Sequence, residues 1–358
     1  MLGAATQAPH LGSDAAFESM KRLLSRTLVL GVLLPVLPAC STQPVPGPMP
    51  AVDPAEELSA GGPITPVPAP TKFAPARVEL GRRLFLEPRL SHDDSLACAG
   101  CHPLDRGGMD GRARSRGANG VLSPRNTPTV FNAALNFRQF WDGRADSLER
   151  QIDGPVNNPD ELGSSWVEVV QKLRGDPSYV SAFAVVYGRP VTPEGVRDAI
   201  ATFERTLIYR RSRFDLFLAG DTAAMTIEEK QGFELFQEFG CASCHQGANV
   251  GGNMFERIGV VGDFFAGRGE PSDSDLGRYS VTGRAEDRFV FRVPSLRLVS
   301  LTAPYLHDGS VPTLREAITA MARYQLGRRI SDAEARLLEL FLQTLPGVAE
   351  GSFGAASR

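Results

Sequence analysis

Two copies of a short cysteine–histidine motif limit the structure of this chain more than any other feature of its sequence. The motifs are Cys98-Ala-Gly-Cys101-His102 and Cys241-Ala-Ser-Cys244-His245. A Cys-x-x-Cys-His motif is the attachment signal of a c-type haem, in which the thiols bind the vinyl groups and the histidine binds the iron. A single motif could also mark a zinc site or a redox dithiol. Two complete motifs, in a chain with few other histidines, favour two covalently bound c-type haems.

A weak internal repeat precedes the motifs. A glycine, a leucine and a phenylalanine stand before each motif on a segment whose apolar pattern predicts a helix. The two sets are Gly81, Leu84 and Phe85, and Gly232, Leu235 and Phe236. Two copies of one helix-and-motif unit predict two similar haem domains.

Helix signals prevail along the rest of the chain. Thr192 marks the start of one helix, and Ser331 with Glu334 forms a capping box before another. Alternating β-branched residues are scarce. The long connections at 105–130 and 246–292 are typical of loops that wrap a haem. We predict a mostly α fold with two cytochrome c-like haem domains packed against each other.

The length of 358 residues exceeds one ordinary core and predicts several regions. They are an export-signal region at 1–39, a Pro- and Gly-rich tether at 40–73, a first haem domain at 74–209, a second at 210–346, and a tail at 347–358. The composition of the tether cannot bury enough apolar surface to fold.

The N-terminal region predicts export. A basic segment at 20–22 precedes an apolar stretch at 27–39, which is too short to span a membrane and suits a signal-peptide core. Acidic residues precede this basic segment, so we predict Met20 as the true start. Cys40 follows Leu-Pro-Ala, which resembles a lipoprotein cleavage box apart from its proline. We expect a periplasmic protein with a lipid anchor on Cys40; a plain cleaved signal or an uncleaved anchor is the alternative.

Composition narrows the function classes. The 42% hydrophobic and 22% charged residues are typical of a globular protein, and a formal net charge of -3 argues against nucleic-acid binding. Only Cys40 lies outside the motifs, so no disulfide framework is expected. The remaining histidines are His10, His92 and His307. At least one haem is therefore expected to lack a distal histidine.

From about Leu80 to Leu345 the chain resembles the bacterial dihaem cytochrome c peroxidases and the related methylamine-utilisation maturation enzymes. The matching stretches are LSHDDSLACAGCH, RNTPTVFNAALNFRQFWDGRADSLERQIDGPV, FERTL, GCASCHQGANVGG and VPSLRLVSLTAPYLHDGSVPTLREAI. The resemblance implies a peroxide site at the haem on His102 and electron entry at the haem on His245. It implies Met321 as the distal ligand of the second haem, whereas the maturation enzymes have a tyrosine there.

The resemblance implies further roles close to the haems. Trp141 matches the tryptophan between the haems, Gln151 a glutamine of the peroxide pocket, and Glu161 its distal glutamate, with Leu162 in place of the usual methionine. A carboxyl group there can take a proton from peroxide and return it to the departing oxygen. Without the resemblance, Trp141 reads as a core aromatic and Glu161 as a solvated loop charge.

A calcium ion between the domains is also implied. Asn126 would give its side chain, and Thr302 and Pro304 would give their carbonyl oxygens, which are ligands that calcium prefers. His307 matches a histidine near the haem interface, for which a structural role is as well supported as a functional one. The alternative for Met321 is a core methionine.

One position departs from the family pattern. Many members close the first haem with a distal histidine in a loop before RNTPTVFN, and Ala118 stands at that place in RSRGANG. Alanine cannot bind iron. We therefore predict a five-coordinate or water-bound first haem in the oxidised protein, without a need for reductive activation. His92 is the one rival ligand, and we expect it at the surface.

The leading functional interpretation is reduction of hydrogen peroxide to water with electrons from a small cytochrome c or a cupredoxin. A maturation-type enzyme that oxidises a partner protein is the first alternative; the missing distal histidine favours it and Met321 disfavours it. A non-catalytic electron carrier is the second, and Glu161 with Ala118 argues against it. Analogy with the family implies a homodimer.

Overall fold

Short helices are the main regular secondary structure in this computed structural model, which describes residues 62–266 and 268–350. The prediction of a mostly α fold is confirmed. In chain order the α-helices are α1 (Pro75–Phe85), α2 (Cys98–Cys101), α3 (Leu148–Asn157), α4 (Trp166–Arg174), α5 (Pro177–Tyr187), α6 (Pro193–Glu204), α7 (Arg213–Leu218), α8 (Ile227–Glu238), α9 (Tyr279–Thr282), α10 (Leu314–Tyr324) and α11 (Asp332–Leu342).

Single 3₁₀ turns and two small antiparallel sheets complete the described part of the chain. The turns are Pro88–Leu90, Leu104–Arg106, Ala133–Leu135, Thr222–Ala224, Cys241–Ser243, Ala285–Asp287 and Val299–Leu301. The strands are β1 (Ile208–Arg210), β2 (Phe255–Arg257), β3 (Val290–Arg292) and β4 (Val348–Glu350). β1 pairs with β4, and β2 pairs with β3 in a register that sets Phe255 opposite Arg292.

Hydroxyl side chains define where the longer helices begin. The Thr192 side chain accepts a hydrogen bond from the main-chain N–H of Gly195 at the start of α6, and Ser331 with Glu334 closes a reciprocal capping box before α11. Both predicted helix starts are confirmed. Thr226 and Thr313 form the same box before α8 and α10. Each cap satisfies N–H groups that the first helical turn leaves without partners.

The repeated glycines explain how each motif-bearing segment packs. A Cβ atom at Gly81 of α1 would lie 1.9 Å from the carbonyl oxygen of Ala199 in α6. A Cβ atom at Gly232 of α8 would lie 2.0 Å from the carbonyl oxygen of Leu337 in α11. In both pairs the helix backbones therefore touch where only glycine fits. The same helix crossing thus occurs once before each cysteine motif.

The buried apolar side chains form two clusters. The first contains residues of α1, α3, α4, α5 and α6, and the second contains residues of α7, α8, α10 and α11. Leu298 follows α8 in the chain but belongs to the first cluster, and Ile64 precedes α1 but belongs to the second. Each half of the described chain has its own apolar core, and these two residues cross between the halves.

Two segments at the predicted boundaries differ from expectation. Within the predicted tether, Ile64 and Val67 are buried, because the side chains of Asp215 and Arg297 bond the main chain of Val67 and Thr65. Within the predicted tail, β4 pairs with β1, because Gly347 lets the two segments approach closely. Sequence composition did not reveal either contact. The predicted signal region and Cys40 lie outside the described residues. In residues 62–266 and 268–350, no helix is both long enough and apolar enough to cross a membrane.

Candidate functional site

The first motif forms a single helical turn. α2 contains both cysteines, and His102 follows it with a half-buried ring whose Nδ1 lies 3.0 Å from the carbonyl oxygen of Gly108. A carbonyl oxygen can only accept, so Nδ1 carries the proton and Nε2 keeps its lone pair. Burial lowers the pKa of His102, which keeps the imidazole neutral. The ring is therefore oriented and protonated as an iron ligand requires.

The second motif repeats this arrangement. Its cysteines lie on the 3₁₀ turn Cys241–Ser243 and the next residue, and Nδ1 of His245 lies 3.4 Å from the carbonyl oxygen of Val250. Burial lowers the pKa of His245 to about 4. The second histidine thus also offers a neutral Nε2.

The cysteines fit thioether formation better than the alternatives. All four motif cysteines are free thiols. Burial raises the pKa of Cys98 to about 12 and that of Cys241 to about 11, which disfavours the thiolates that dithiol exchange needs. Among the described residues, the one group of His, Cys, Asp and Glu side chains close enough to bind a metal ion lies elsewhere, at Asp275, His307 and Asp308.

Glu161 and Ala118 lie together beside the first motif. The main-chain N–H of Ala118 donates to the carbonyl oxygen of Glu161 at 2.8 Å. Burial raises the pKa of Cys101, and the carboxylates of Asp110 and Glu161 raise it further, which places Glu161 within electrostatic reach of the motif. The Nδ2 group of Asn158 donates to Oε1 of Glu161 at 2.8 Å, and Oε2 has no hydrogen-bond partner among the described residues.

The other candidates near the first motif are less closely tied to it. Gln151 lies half-buried on α3, and no hydrogen bond within the described part of the chain joins it to Glu161. Leu162 is buried in the first apolar cluster. The side chain of His92 is 73% exposed and forms an ion pair with Glu168 on α4 at 3.0 Å. His92 therefore faces solvent, as its position before the motif predicted.

A cavity with mostly apolar lining lies beside the second motif. His245 and Met321 both line it, so the predicted proximal and distal ligands of the second haem face one space. Met321 is placed there by α10, which begins at the Thr313 capping box. Trp141, Asn126, Thr302, Pro304 and His307 line the same cavity. Every residue predicted for the inter-haem and calcium sites thus meets at this location.

Hydrogen bonds connect the two halves at this cavity in a reciprocal way. The N–H of Asn126 donates to the carbonyl oxygen of His307 at 2.8 Å, and the N–H of Arg292 donates to that of Trp141 at 2.8 Å. The indole Nε1 of Trp141 also donates to the carbonyl oxygen of Asn126 at 2.9 Å.

Backbone conformation confirms that the connected segments are equivalent. Phe140 before Trp141 has φ 68°, and Leu306 before His307 has φ 70°. Each tryptophan or histidine is followed by Asp-Gly and lies in a loop closed by one antiparallel bridge, Gln139 to Ala145 in the first half and Tyr305 to Val311 in the second. Trp141 and His307 are therefore structural counterparts, as are Asn126 and Arg292.

Asn126 keeps its amide oxygen available. Its Nδ2 group donates to the carbonyl oxygens of Arg112 at 3.0 Å and Ala113 at 3.3 Å, which orients the oxygen of the amide away from those partners. An amide oxygen beside Thr302 and Pro304 is a donor set that suits calcium.

His307 is more constrained than the sequence indicated. Its ring is 1% exposed, stacks on Phe291 at 4.5 Å, and places Nε2 2.6 Å from Oδ1 of Asp275. Nδ1 is buried and has no hydrogen-bond partner among the described residues. Burial lowers the pKa of His307, so the ring is neutral, Nε2–H donates to Asp275, and Nδ1 carries a lone pair.

Comparisons with known proteins agree with a dihaem c-type protein. A family profile described as di-haem cytochrome c peroxidase matches residues 75–223, and a cytochrome c-like profile matches residues 291–326. The chain is 44% identical to cytochrome c peroxidase Ccp of Escherichia coli over 80% of its own length, and it spans 61% of that protein. It is 40% identical to cytochrome c551 peroxidase of Nitrosomonas europaea, covering 81% of this chain and 86% of the relative.

More distant relatives have the same architecture. The methylamine utilization protein MauG of Methylorubrum extorquens is 36% identical, with 78% of this chain and 81% of the relative covered. The crystal structure of a MauG-like protein associated with microbial copper homeostasis superposes with a TM-score of 0.72 at 28% identity, covering 83% of this chain and 98% of that structure. This chain belongs to the dihaem cytochrome c peroxidase family. It is a peroxidase-type oxidoreductase with two c-type haems.

Proposed function

We propose that this protein reduces hydrogen peroxide to water at a haem attached to the first motif. Two electrons would arrive singly from a small cytochrome c or a cupredoxin at a haem attached to the second motif. Each peroxide takes up these two electrons and two protons and leaves as two water molecules. The observation that carries the proposal is the position of Glu161 and Ala118 beside the first motif, where a carboxyl group is present and a distal ligand is lacking.

The haems supply redox equivalents and, at an open iron, the site where peroxide binds. The chain holds each macrocycle through two thioethers and one imidazole. The carbonyl oxygens of Gly108 and Val250 fix the tautomers of His102 and His245, so that Nε2 is the nitrogen available to bind iron. Fixing the tautomer through a second hydrogen bond also increases the basicity of the ligand nitrogen.

Glu161 acts as the acid–base group of the peroxide site. Asn158 holds Oε1, so Oε2 is the atom that is free to take a proton from the nearer peroxide oxygen. The same carboxyl group then returns this proton to the departing oxygen as water. A positioned carboxyl group of this kind contributes about 10²–10⁴ in rate. Gln151 on α3 would complete the pocket as a hydrogen-bonding side chain.

The second site keeps peroxide out. Met321 would fill the distal position opposite His245 in the shared cavity. A thioether favours the ferrous state and raises the reduction potential. Trp141 occupies the space between the two halves and would ease electron transfer across them.

Several features of the whole molecule belong to the same proposal. Asn126, Thr302 and Pro304 would bind calcium where the two halves meet. Residues 74–209 and 210–346 would be the two haem domains, with their long connections around the macrocycles. The mature protein would be periplasmic, anchored by a lipid on Cys40, and a homodimer.

Steady-state turnover of peroxide with reduced cytochrome c tests the proposal. Rapid consumption of the reduced cytochrome, at two molecules for each peroxide, is expected. A long-lived oxidised state without turnover would instead support a maturation-type enzyme, for which the similarity to MauG and the missing distal histidine are the specific observations. A protein that does not react with peroxide would instead support the alternative of a non-catalytic electron carrier.

A further inference from the structure

A buried arginine without an acidic partner faces the cavity of the second motif. Arg292, at the end of β3, is 4% exposed and lines this cavity together with His245 and Met321. Its Nε donates to the carbonyl oxygen of Phe140 at 3.3 Å, and its Nη1 to that of Val293 at 3.4 Å. Both contacts are long, and both acceptors are neutral. Among the described residues, no carboxylate approaches this guanidinium.

A second deeply buried arginine, Arg297, shows which contacts Arg292 lacks. Arg297 is 1% exposed, and its guanidinium pairs with Asp215 at 2.8 Å. It also donates to the carbonyl oxygens of Ala248 at 2.6 Å and Thr65 at 2.9 Å. The chain thus supplies a full set of acceptors for one buried guanidinium and leaves the other with two long contacts.

A buried charge of this kind needs a counter-ion. Taking an arginine out of water costs much more than long bonds to neutral carbonyl groups return, so buried charges in proteins are paired. The one acidic residue that lines the cavity is Glu256, and its carboxylate accepts a hydrogen bond from the main-chain N–H of Arg257. The described residues therefore supply no counter-ion for Arg292. A haem carries two propionate carboxylates, and the motif that binds it opens into this cavity.

We propose that Arg292 is a cofactor-binding residue whose guanidinium pairs with a propionate of the second haem and thereby raises that haem's reduction potential. The inference rests on haem attachment at the second motif, as proposed above. A fixed positive charge beside the macrocycle stabilises the ferrous state, which carries one positive charge fewer at the iron. Planar guanidinium groups also suit bidentate pairing with a carboxylate.

Comparison of the two equivalent halves indicates that the Arg292 cation belongs to the second haem site only. The counterpart of Arg292 in the first half is Asn126, which has no charge. This position therefore supplies no cation to the first haem. Arg292 and Met321 would act in the same direction on the second haem, and neither has an equivalent at the first.

Spectroelectrochemical titration of the two-haem protein tests the proposal. In R292Q, the midpoint potential of the second haem is expected to fall by about 59 mV or more, which is a tenfold lower ratio of ferrous to ferric haem at a fixed potential. The first haem should keep its midpoint. R257Q is the matched control, because Arg257 lines the same cavity but is exposed to screening solvent, and it should leave both midpoints in place.

Two results would overturn the proposal. One is an R292Q protein with both haems bound and an unchanged second midpoint. The other is an equal fall at both haems, which would indicate a general loosening of the structure. If R292Q does not retain its second haem, the R292K variant tests the pairing instead, because lysine keeps the positive charge in a similar volume. Retention of haem in R292K, with a shifted propionate bending band in the resonance Raman spectrum, supports the pairing, whereas loss of haem or an unshifted band contradicts it.

Failure of this proposal can be told apart from failure of the proposed function. Peroxide turnover by the unmodified protein is a separate measurement that does not involve Arg292. A protein that turns over peroxide with R292Q potentials unchanged would retain its function and lose only this assignment.

Discussion

The two motif sites have the same local frame and different surroundings. In each, a one-turn cysteine segment is followed by a half-buried histidine whose Nδ1 donates to a loop carbonyl oxygen. Around the first histidine lie a carboxyl group with a free oxygen and an alanine. Around the second lie a thioether, a buried guanidinium and a mostly apolar cavity.

Two copies of one backbone arrangement can thus provide sites with different chemical properties. Backbone geometry is repeated down to a matching pair of residues with positive φ, Phe140 and Leu306. The two halves differ in side chain at equivalent backbone positions, where Asn126 corresponds to Arg292 and Trp141 corresponds to His307. One site would remain open to a small polar substrate, while the other would be closed and tuned for electrons.

The largest expected effect tests the first site alone. E161Q removes the proton acceptor and keeps the shape of the side chain, so kcat/KM for peroxide should fall by about 10²–10⁴. Both haems should be retained with unchanged spectra. D160N is the control, since Asp160 is the adjacent carboxyl group and its removal should alter turnover little. An E161Q protein with normal turnover would remove the chemical distinction between the two sites.

The second site is tested by removing its thioether. M321A should lower the midpoint potential of the second haem, so that at least about tenfold less of it is reduced at a fixed potential, while the first haem is unaffected. M254A serves as the matched control, because Met254 does not line the cavity. A second haem with unaltered spectrum and potential in M321A would show that Met321 is only a packing residue.

The shared scaffold predicts equal effects in the two halves. G81A and G232A each place a methyl group against a carbonyl oxygen of the facing helix, and each should lower the free energy of unfolding by about 1–3 kcal/mol. Q231A changes an exposed neighbour on α8 and should stay within about 0.5 kcal/mol of the parent. Chemical denaturation measures all three. A large effect in one half only would contradict the equivalence of the two helix crossings.

A pH dependence of stability is expected that belongs to the first half. Burial raises the pKa of Glu204 at the end of α6 to about 8, and its Oε2 has no hydrogen-bond partner in the described part of the chain. The folded state therefore keeps a proton that the unfolded state loses, so stability should decline from about pH 5 to about pH 8, by up to about 1.4 kcal/mol per pH unit. The E204Q variant should flatten this decline. Parallel stability curves for the two proteins would show that Glu204 is ionised in the fold.

The sequence predicted those elements whose signals lie within a few neighbouring residues. Both cysteine motifs, the capping residues Thr192 and Ser331, and the repeated Gly81 and Gly232 were readable because each acts over a few residues. The resemblance also named Met321, Trp141 and Glu161 at places that the structure brings close to one motif or the other.

The features that the sequence did not predict depend on contacts between segments that are far apart in the chain. Arg292 looked like any charged strand residue, since its burial results from folding of the second cavity. Asp275 lies in a long connection without regular structure, and only the fold brings it to His307. Ile64 and Val67 stand in a Pro-rich segment and are buried because Asp215 and Arg297 bind its main chain. For Arg292 the available sequence signal was its position 15 residues before His307, which matches the position of Asn126 before Trp141.

The open first haem is the central claim, and electron paramagnetic resonance of the fully oxidised protein tests it most directly. The account predicts a high-spin ferric signal from the first haem together with a low-spin signal from the second. In A118H, which restores a histidine at the distal position, the high-spin signal should disappear. Two low-spin haems in the unmodified protein would contradict the account.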